Sequence, residues 1–507
     1  MLYLNYILAW SIKEEVDGSS ILYHQHNRRF CLSVLIMEVI TKSNKAVYDM
    51  FSPGSDMYED KLIEDFSFTY DEITDGSREA ILKTLPCYFN WKLEDFSDED
   101  RQVLVRCAQE NLKSNTELSL VAHKTVLGYL NMTQFMLTED RNPDTALRWY
   151  DDALADNRKD IDKYGDNDGP LGDKLVLLSN MAWVFFLLNR FDKVDEILKT
   201  IKLEFDGKLS KNQKAFIYAH KGMSLVYYEG EMCDVSIACL NRGLSVFPCR
   251  VDWLFWSAYM LEAQPFRFYD DFKDQEFLSM LDQSESLYRN VLEHNSNHCY
   301  AKAMLGRVLS YKGQHDEAES LIRDALKLNR TTPTVACCAS ELYVEDKKFE
   351  MSIEVLRQSL EVWPNNTYVL HYLGNTYKSK YLNEQETGAD HGDLETAIRY
   401  YDEAIKYASG HLPEAILDKA EVCTLMGNTP EAINLLLLGI TITRDPYWKS
   451  LAYFRSGKFY MDNPNFQPGE HNRRFALNYF QLSIKQGDKY WCAKRAVKEV
   501  GCLTVPS

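Results

Sequence analysis

The segment from Cys299 to Tyr377 repeats itself with a spacing of thirty-four residues, and that period leaves the chain little choice of fold. Leu305-Gly306, Leu309, Gly313, Ala318, Ile322 and Ala325 of one unit return as Ala339-Ser340, Tyr343, Lys347, Ser352, Leu356 and Ser359 of the next, and Leu373-Gly374 with Tyr377 opens a third. Large apolar residues recur at helical spacing, and small ones stand where two helices must approach closely. The pattern predicts one antiparallel helix pair per unit, with Pro333 at the start of the second. A single pair cannot bury its own apolar face, so stability must come from stacking pair upon pair.

These offsets are those of a tetratricopeptide repeat. The expected fold is all-α: a tetratricopeptide-repeat helical superhelix, or α-solenoid, with one long concave surface. Degenerate repeats extend it towards the N-terminus, where Leu127-Gly128-Tyr129 pairs with Ala146, Trp149, Tyr150 and Ala153. Leu177 to Leu188 then pairs with Asp192 to Phe205, and Phe216 to Tyr228 with Cys233 to Phe247. Towards the C-terminus Ala397, Tyr401 and Ala404 resume the phase after an insertion. One further unit uses Ala420, Gly427, Ala432, Leu436 and Gly439, another Gly457, Tyr460, Ala476 and Phe480, and a capping helix is expected over Lys489 to Val500.

The organisation read from this pattern has four parts. Residues 1–76 form an N-terminal extension or poorly ordered arm, 77–262 a degenerate repeat region, 263–298 a period-breaking connector with a helix from Glu285 to Glu293, and 299–507 a repeat array. The array carries insertions near 382–393 and 462–474 and ends in a basic cap. The Phe-, Asp- and Pro-rich start of the connector predicts a bend there.

Charge bears on partners. The chain carries −18, but from Ile442 to Val500 eleven Lys and Arg face five acids, so this end is +6 and the remainder −24. An anionic partner would be steered towards Arg455, Lys458, Arg473, Arg474, Lys494 and Arg495. A solvated basic helix surface is the competing reading of the same residues.

The twelve cysteines show no CxxC spacing, and Cys239, Cys337 and Cys338 sit inside apolar helical patterns. They read as reduced core thiols, which places the protein in a reducing compartment, the cytoplasm. The apolar opening run from Met1 to Trp10 lacks a basic start and a cleavage site. With no apolar stretch approaching the roughly 20 residues of a membrane span, no membrane association is expected.

The sequence offers no P-loop, GxGxxG, GxSxG or HExxH, so neither catalysis nor a cofactor is expected. His294 and His298 have the i,i+4 spacing of a two-histidine metal site, yet Asn295-Ser-Asn297 between them reads as a helix end, and no metal is expected.

Three motifs carry a family resemblance. Cys87-Tyr-Phe-Asn-Trp91, Asn180-Met-Ala-Trp-Val-Phe-Phe186 and Lys221-Gly222 resemble the Cys-His-Phe-Thr-Trp, Asn-Tyr-Ala-Trp-Val-Tyr-Tyr and Glu-Lys-Gly-Trp-Ala segments of the interferon-induced proteins with tetratricopeptide repeats. The resemblance spans about residues 77 to 500. It implies a cytosolic antiviral effector that binds and does not catalyse; some members hold the 5′-triphosphate end of single-stranded RNA in a basic tunnel.

Carried over by position, the lysine that ends the family's Gly-Trp-Ala-Leu-Leu-Lys run falls at Tyr227, and the arginine of its Tyr-Arg-Leu-Asp run at Met260. A Tyr-x-x-Arg-Tyr constellation falls at Thr334, Cys337 and Cys338; a pocket histidine is matched by His371, and an N-terminal Thr and Gln fall near Val105 and Gln109. Charge-assisted contacts to phosphate are the strong ones, so losing two cations predicts a severely weakened triphosphate pocket.

Repeat offsets place Tyr300, Arg307, Tyr311, Tyr368, His371, Tyr372, Asn375 and Lys378 on the concave face. Aromatic rings alternating with donors suit base stacking and backbone contact with single-stranded RNA, or the grip of an extended peptide. Tyrosines packed between helices are the ordinary alternative. Two function classes follow: an antiviral effector that binds single-stranded viral RNA or protein partners, homologous repeat proteins included, and a protein–protein scaffold that binds extended peptides without RNA.

Overall fold

Helix starts are set by caps that the sequence supplies. The Ser210 side chain accepts from Gln213 N at 3.1 Å while Gln213 returns a bond to Ser210 N at 2.9 Å, a reciprocal capping box. Asp274, His298 and Asp445 cap later helices with single side chains, and Pro333, Pro413 and Pro446 stand in first turns, where a missing N–H costs nothing. Gly313, between the two helices of its repeat, has φ +74°, and one repeat later Lys347 takes the same left-handed conformation at +60°.

The computed structural model describes residues 78–91, 104–105, 108–109, 120–137, 143–164, 167–205, 208–228, 232–269, 274–384, 391–443, 445–463 and 469–504. The extension over 1–76, the stretches 385–390 and 464–468 inside the two expected insertions, and most of the helix expected from Arg101 to Leu112 lie outside them.

The chain begins with a short helix, α1 (Arg78–Leu82), tied to a later pair by a two-pronged Arg78–Asp195 ion pair at 2.7 Å. Antiparallel pairs follow in order: α2 (Leu120–Leu137) with α3 (Pro143–Tyr164), α4 (Pro170–Leu187) with α5 (Phe191–Glu204), and α6 (Lys211–Leu225) with α7 (Cys233–Leu244). Next, α8 (Val251–Ala263) pairs with α10 (Gln275–His294) across the single-turn α9 (Pro265–Phe268). The array continues as α11 (Cys299–Tyr311) with α12 (His315–Leu328), α13 (Pro333–Glu345) with α14 (Phe349–Val362), and α15 (Thr367–Glu384) with α16 (His391–Tyr407). It ends as α17 (Pro413–Leu425) with α18 (Thr429–Ile442), α19 (Pro446–Asp462) with α20 (Gly469–Lys485), and α21 (Trp491–Thr504). No strand occurs among the described residues. The fold is the all-α solenoid that the repeat predicts.

The connector helix is longer than expected. It starts at Gln275, because Asp274 accepts from Glu276 N at 2.9 Å and seeds the first turn. Helix α4 is long and apolar enough by composition to cross a membrane, but 67% of it is buried within the bundle, which makes it a core helix here.

Small residues carry the pair contacts. A Cβ at Gly374 would stand 2.5 Å from the Tyr401 ring, and one at Gly306 would stand 2.8 Å from Ile322. One continuous apolar cluster runs from α6 to α17, including Trp253, Phe277, Leu305, Ile322, Leu356 and Leu373. Each fully buried Leu or Ile of this kind contributes about 1.5–3 kcal/mol relative to exposure, and the partner helix and the neighbouring pair both supply that burial.

First helices of consecutive pairs (α11 with α13, α13 with α15, α17 with α19) touch one another, whereas second helices make no comparable contact with second helices among the described residues. The first helices therefore occupy the inner radius. That geometry decides which side chains share the concave face.

Candidate functional site

Two ion-paired networks occupy the inner face. In the first, Arg307 Nε on α11 donates to Glu262 Oε1 on α8 at 2.6 Å and lies 3.9 Å from Glu341 on α13. Tyr311 Oη donates to Glu341 at 2.8 Å, Tyr372 donates to the same carboxylate, and Tyr288 donates to Glu262 at 3.0 Å. Glu262 is fully buried; burial raises its pKa above the ordinary carboxylate value, against the pull of Arg307 and Tyr288. Arg307 is thus enclosed by two carboxylates and three phenols, and its charge is matched before any ligand arrives.

The second network centres on Asp418 of α17. His371 Nε2 donates to Asp418 Oδ2 at 2.9 Å, while Arg455 Nη1 and Lys378 Nζ reach Oδ1 at 3.0 and 3.3 Å. Lys378 also bonds Glu421 at 3.0 Å. Asn375 Nδ2 lies 3.3 Å from His371 Nε2, and Asn375 Oδ1 accepts from Tyr401 Oη at 2.7 Å. Burial alone would raise the Asp418 carboxyl, but Lys378 and Arg455, with the bond from His371, outweigh it and hold the group well below the carboxylate range.

The eight residues placed on the concave face by repeat offset therefore divide. Arg307, Tyr311, His371, Tyr372, Asn375 and Lys378 join these networks. Tyr368 stands 43% exposed near the start of α15. Tyr300 is only 3% exposed and packs against Phe255 and His298, so it belongs to the core.

The positions onto which the resemblance carries the family's pocket are largely enclosed by packing. Tyr227 bonds His123 Nδ1, and Met260 is 1% exposed. Burial and the neighbouring His220 lower the His123 pKa to about 4, so that ring is neutral and adds no positive charge. His220 bonds Asp173 at 2.9 Å. Thr334 is half-buried at the start of α13, Cys337 is buried with its thiol pKa pushed well up, and Cys338 is buried against Met304 sulfur at 3.6 Å with its thiol pushed up to about 12.

Most of the basic C-terminal residues are engaged by neighbouring groups. Arg455 faces inward to Asp418. Lys458 lies 3.5 Å from Asp462, Arg473 Nε donates to Leu503 O at 3.0 Å, Lys494 Nζ donates to Phe268 O at 3.1 Å, and Arg495 covers the Trp491 ring at 5.9 Å. Arg474 is exposed. Of the cysteines, Cys239, Cys337 and Cys338 are buried thiols outside any disulfide, while Cys249 and Cys502 are exposed. His294 ends α10 and His298 caps α11 through Ala301 N at 3.2 Å, so the two histidines lie on different elements.

The acids that define the networks are not among the residues singled out by the sequence pattern, though the period reaches one of them. Arg307 and Glu341 stand thirty-four residues apart, at one offset of successive repeats, and Asn375 follows after thirty-four more. Glu262 and Asp418 lie across the connector and an insertion, where the period is lost.

The three motifs that carried the family resemblance pack together. Asn180 Oδ1 accepts from Tyr88 N at 3.2 Å, Trp183 stacks on Phe89 at 5.9 Å, and Lys221 Nζ lies 5.6 Å from the centre of the Trp91 ring. They form a joint between α4, α6 and the segment after α1, and so build the scaffold.

A tetratricopeptide-repeat family profile matches residues 300–332. Over 350 residues the chain is 23% identical to the human antiviral innate immune response effector IFIT1, covering 67% of this chain and 68% of that protein. It is 25% identical over 253 residues to the mouse (Mus musculus) interferon-induced protein with tetratricopeptide repeats 2, covering 48% and 49%. The solved human IFIT1 dimer with m7Gppp-AAAA superposes with a TM-score of 0.64 at 19% identity, over 83% of this chain and 89% of that one.

Proposed function

Because the chain is a divergent member of the interferon-induced tetratricopeptide-repeat family, we propose that it is a non-catalytic antiviral effector of the innate immune response, acting in the cytosol by holding an extended macromolecule along its inner face. Single-stranded RNA is the ligand class that kinship favours. The observation that carries the reading is the inner face itself: tyrosines, Asn375, His371 and ion-paired cations are held in fixed positions there, on helices rigidly packed behind them. Such a surface can stack bases and contact sugars.

Among the described residues of the two networks, no cation is left unmatched to seize a terminal triphosphate. Arg307, Lys378 and Arg455 each face a carboxylate, and tyrosine and methionine replace the family's lysine and arginine. The RNA would be recognised along its body rather than at its end.

A second reading is favoured by the same ion pairs: a scaffold whose acid-rich inner face grips an extended protein segment, from a homologous repeat protein or another partner. Fluorescence anisotropy separates the two. One A-rich RNA carrying a 5′-triphosphate, a cap or a 5′-hydroxyl should bind with similar affinity in all three forms, weakening with salt. A preference of more than about tenfold for the triphosphate, about 1.4 kcal/mol, would contradict body recognition. No binding by any form would leave the scaffold, whose partners should survive nuclease treatment in a pull-down.

A further inference from the structure

Repeats in a solenoid contact their neighbours, so links between residues some two hundred positions apart need a cause. Several such links join the connector to the C-terminal cap. Arg267 of α9 forms an ion pair with Asp445 and lies 4.8 Å from the centre of the Tyr447 ring at the start of α19. Phe268 stacks on Tyr490 with ring centres 6.1 Å apart and planes 7° from parallel. Lys494 of α21 donates to Phe268 O at 3.1 Å and covers the Tyr269 ring at 5.2 Å; Lys489 lies 6.0 Å from Phe268 and 5.3 Å from Tyr490.

We propose that this joint is a latch that closes the array from α8 to α21 on itself, and that its opening admits a ligand to the inner face. The gating half of this statement rests on the inner face being the ligand surface; the latch does not.

Three features argue for a joint that parts. First, it sits where the repeat is interrupted: α9 is a single turn between α8 and α10, anchored to its own repeats by Phe266 against Phe277 and Tyr311, while Arg267 and Phe268 reach across to the cap through a handful of contacts. Second, its bonds are polar and aromatic. An ion pair, a lysine–carbonyl bond and ring contacts can open and re-form without exposing a large aliphatic core, unlike the Leu and Ile contacts between neighbouring pairs. Third, the joint spans the two ends of the ion-paired inner face, Glu262 on α8 and Arg455 on α19. Closing it turns an open groove into a ring, which a linear chain enters by threading an end and a chain without ends enters only through a gap.

The latch also explains the basic C-terminus. Lys489 and Lys494 are spent on aromatic rings and a carbonyl of the connector.

Asp445→Asn with Lys494→Gln tests it. Asparagine retains the α19 cap, in which Asp445 accepts from Tyr447 N at 2.8 Å, and removes the charge facing Arg267. Circular dichroism and the unfolding midpoint confirm that the variant folds. Cys249 and Cys502 are both exposed, one just before α8 and the other on α21, and carry nitroxide labels in a chain with Cys31 and Cys107 replaced by serine. The parent should give one narrow Cys249–Cys502 distance by electron–electron resonance, and the variant a longer, broader distribution. Superimposable distributions would overturn the latch.

Gating is read with one linear single-stranded RNA and its covalently circularised form. The parent should take up the circle at least about tenfold more slowly than the linear form, and the variant should treat both alike. Equal rates in the parent would sink the gate. If neither form binds, the RNA reading fails, and the distance measurement still decides the latch.

Discussion

Asp418 on α17 accepts from Arg455 on α19 at 3.0 Å, and this pair moves an arginine of the basic C-terminal sequence onto the inner face. With His371 and Lys378 on the same carboxylate, the face neutralises itself. A surface built this way offers shape, rings and hydrogen bonds in place of net positive charge.

Asp418→Asn should therefore be costly at neutral pH. Its carboxyl sits well below the ordinary value of about 3.9, so its contribution is complete above that pH and is lost as pH falls through the depressed folded value. Removing one member of a buried ion pair costs about 3 kcal/mol, here at the low end because Lys378 keeps Glu421. Urea midpoints of parent and variant should differ strongly at neutral pH and converge in strong acid; a constant gap would count against the ion pair.

His298→Asn should separate capping from titration. The His298 side chain caps α11, and burial lowers its pKa to about 4, below the ordinary value of about 6.5. The unfolded chain then binds the proton that the folded one refuses, so stability falls as pH drops from about 6.5 towards 4, by about 3 kcal/mol for this residue. Asparagine keeps a cap acceptor without the titration. The variant should match the parent near neutrality and exceed it near pH 4 in thermal unfolding.

Gly374→Ala probes pair packing. The added carbon meets the Tyr401 ring at 2.5 Å and must displace it, straining the Tyr401–Asn375 bond behind His371. A loss of about 1–3 kcal/mol is expected by chemical denaturation. Indifference would show that α15 and α16 have room to part.

Glu341→Gln tests which charge the inner face presents. The amide oxygen still accepts from one of Tyr311 and Tyr372, the amide nitrogen can donate to the other phenol oxygen, and Arg307 is left with Glu262 alone. Affinity for a 5′-hydroxyl single-stranded RNA should rise about threefold, with the gain shrinking as salt is added. Unchanged or weaker binding would place the RNA elsewhere or favour a cationic protein ligand.

Much of this architecture is visible in the chain before it folds. The period fixes the helix pairs because each face must be buried by the next unit, and Gly306 and Gly374 mark contacts too close for a side chain. The period also puts Arg307, Tyr311, His371 and Lys378 on one face, since their offsets fall three or four residues apart on the first helix of a repeat. It misplaced Tyr300, which lies at the first turn of α11 where the previous pair closes over it.

Sequence by itself determined the solenoid, since hydrophobic periodicity and small-residue spacing are local properties repeated unit by unit. Only the tertiary structure decided what the charges do. Arg307 meets Glu262, Arg455 meets Asp418 and Arg267 meets Asp445 across 45, 37 and 178 positions, through a connector and insertions whose path no period encodes. Ion pairing depends on distances of a few ångströms between side chains, and those distances are set by how the superhelix closes.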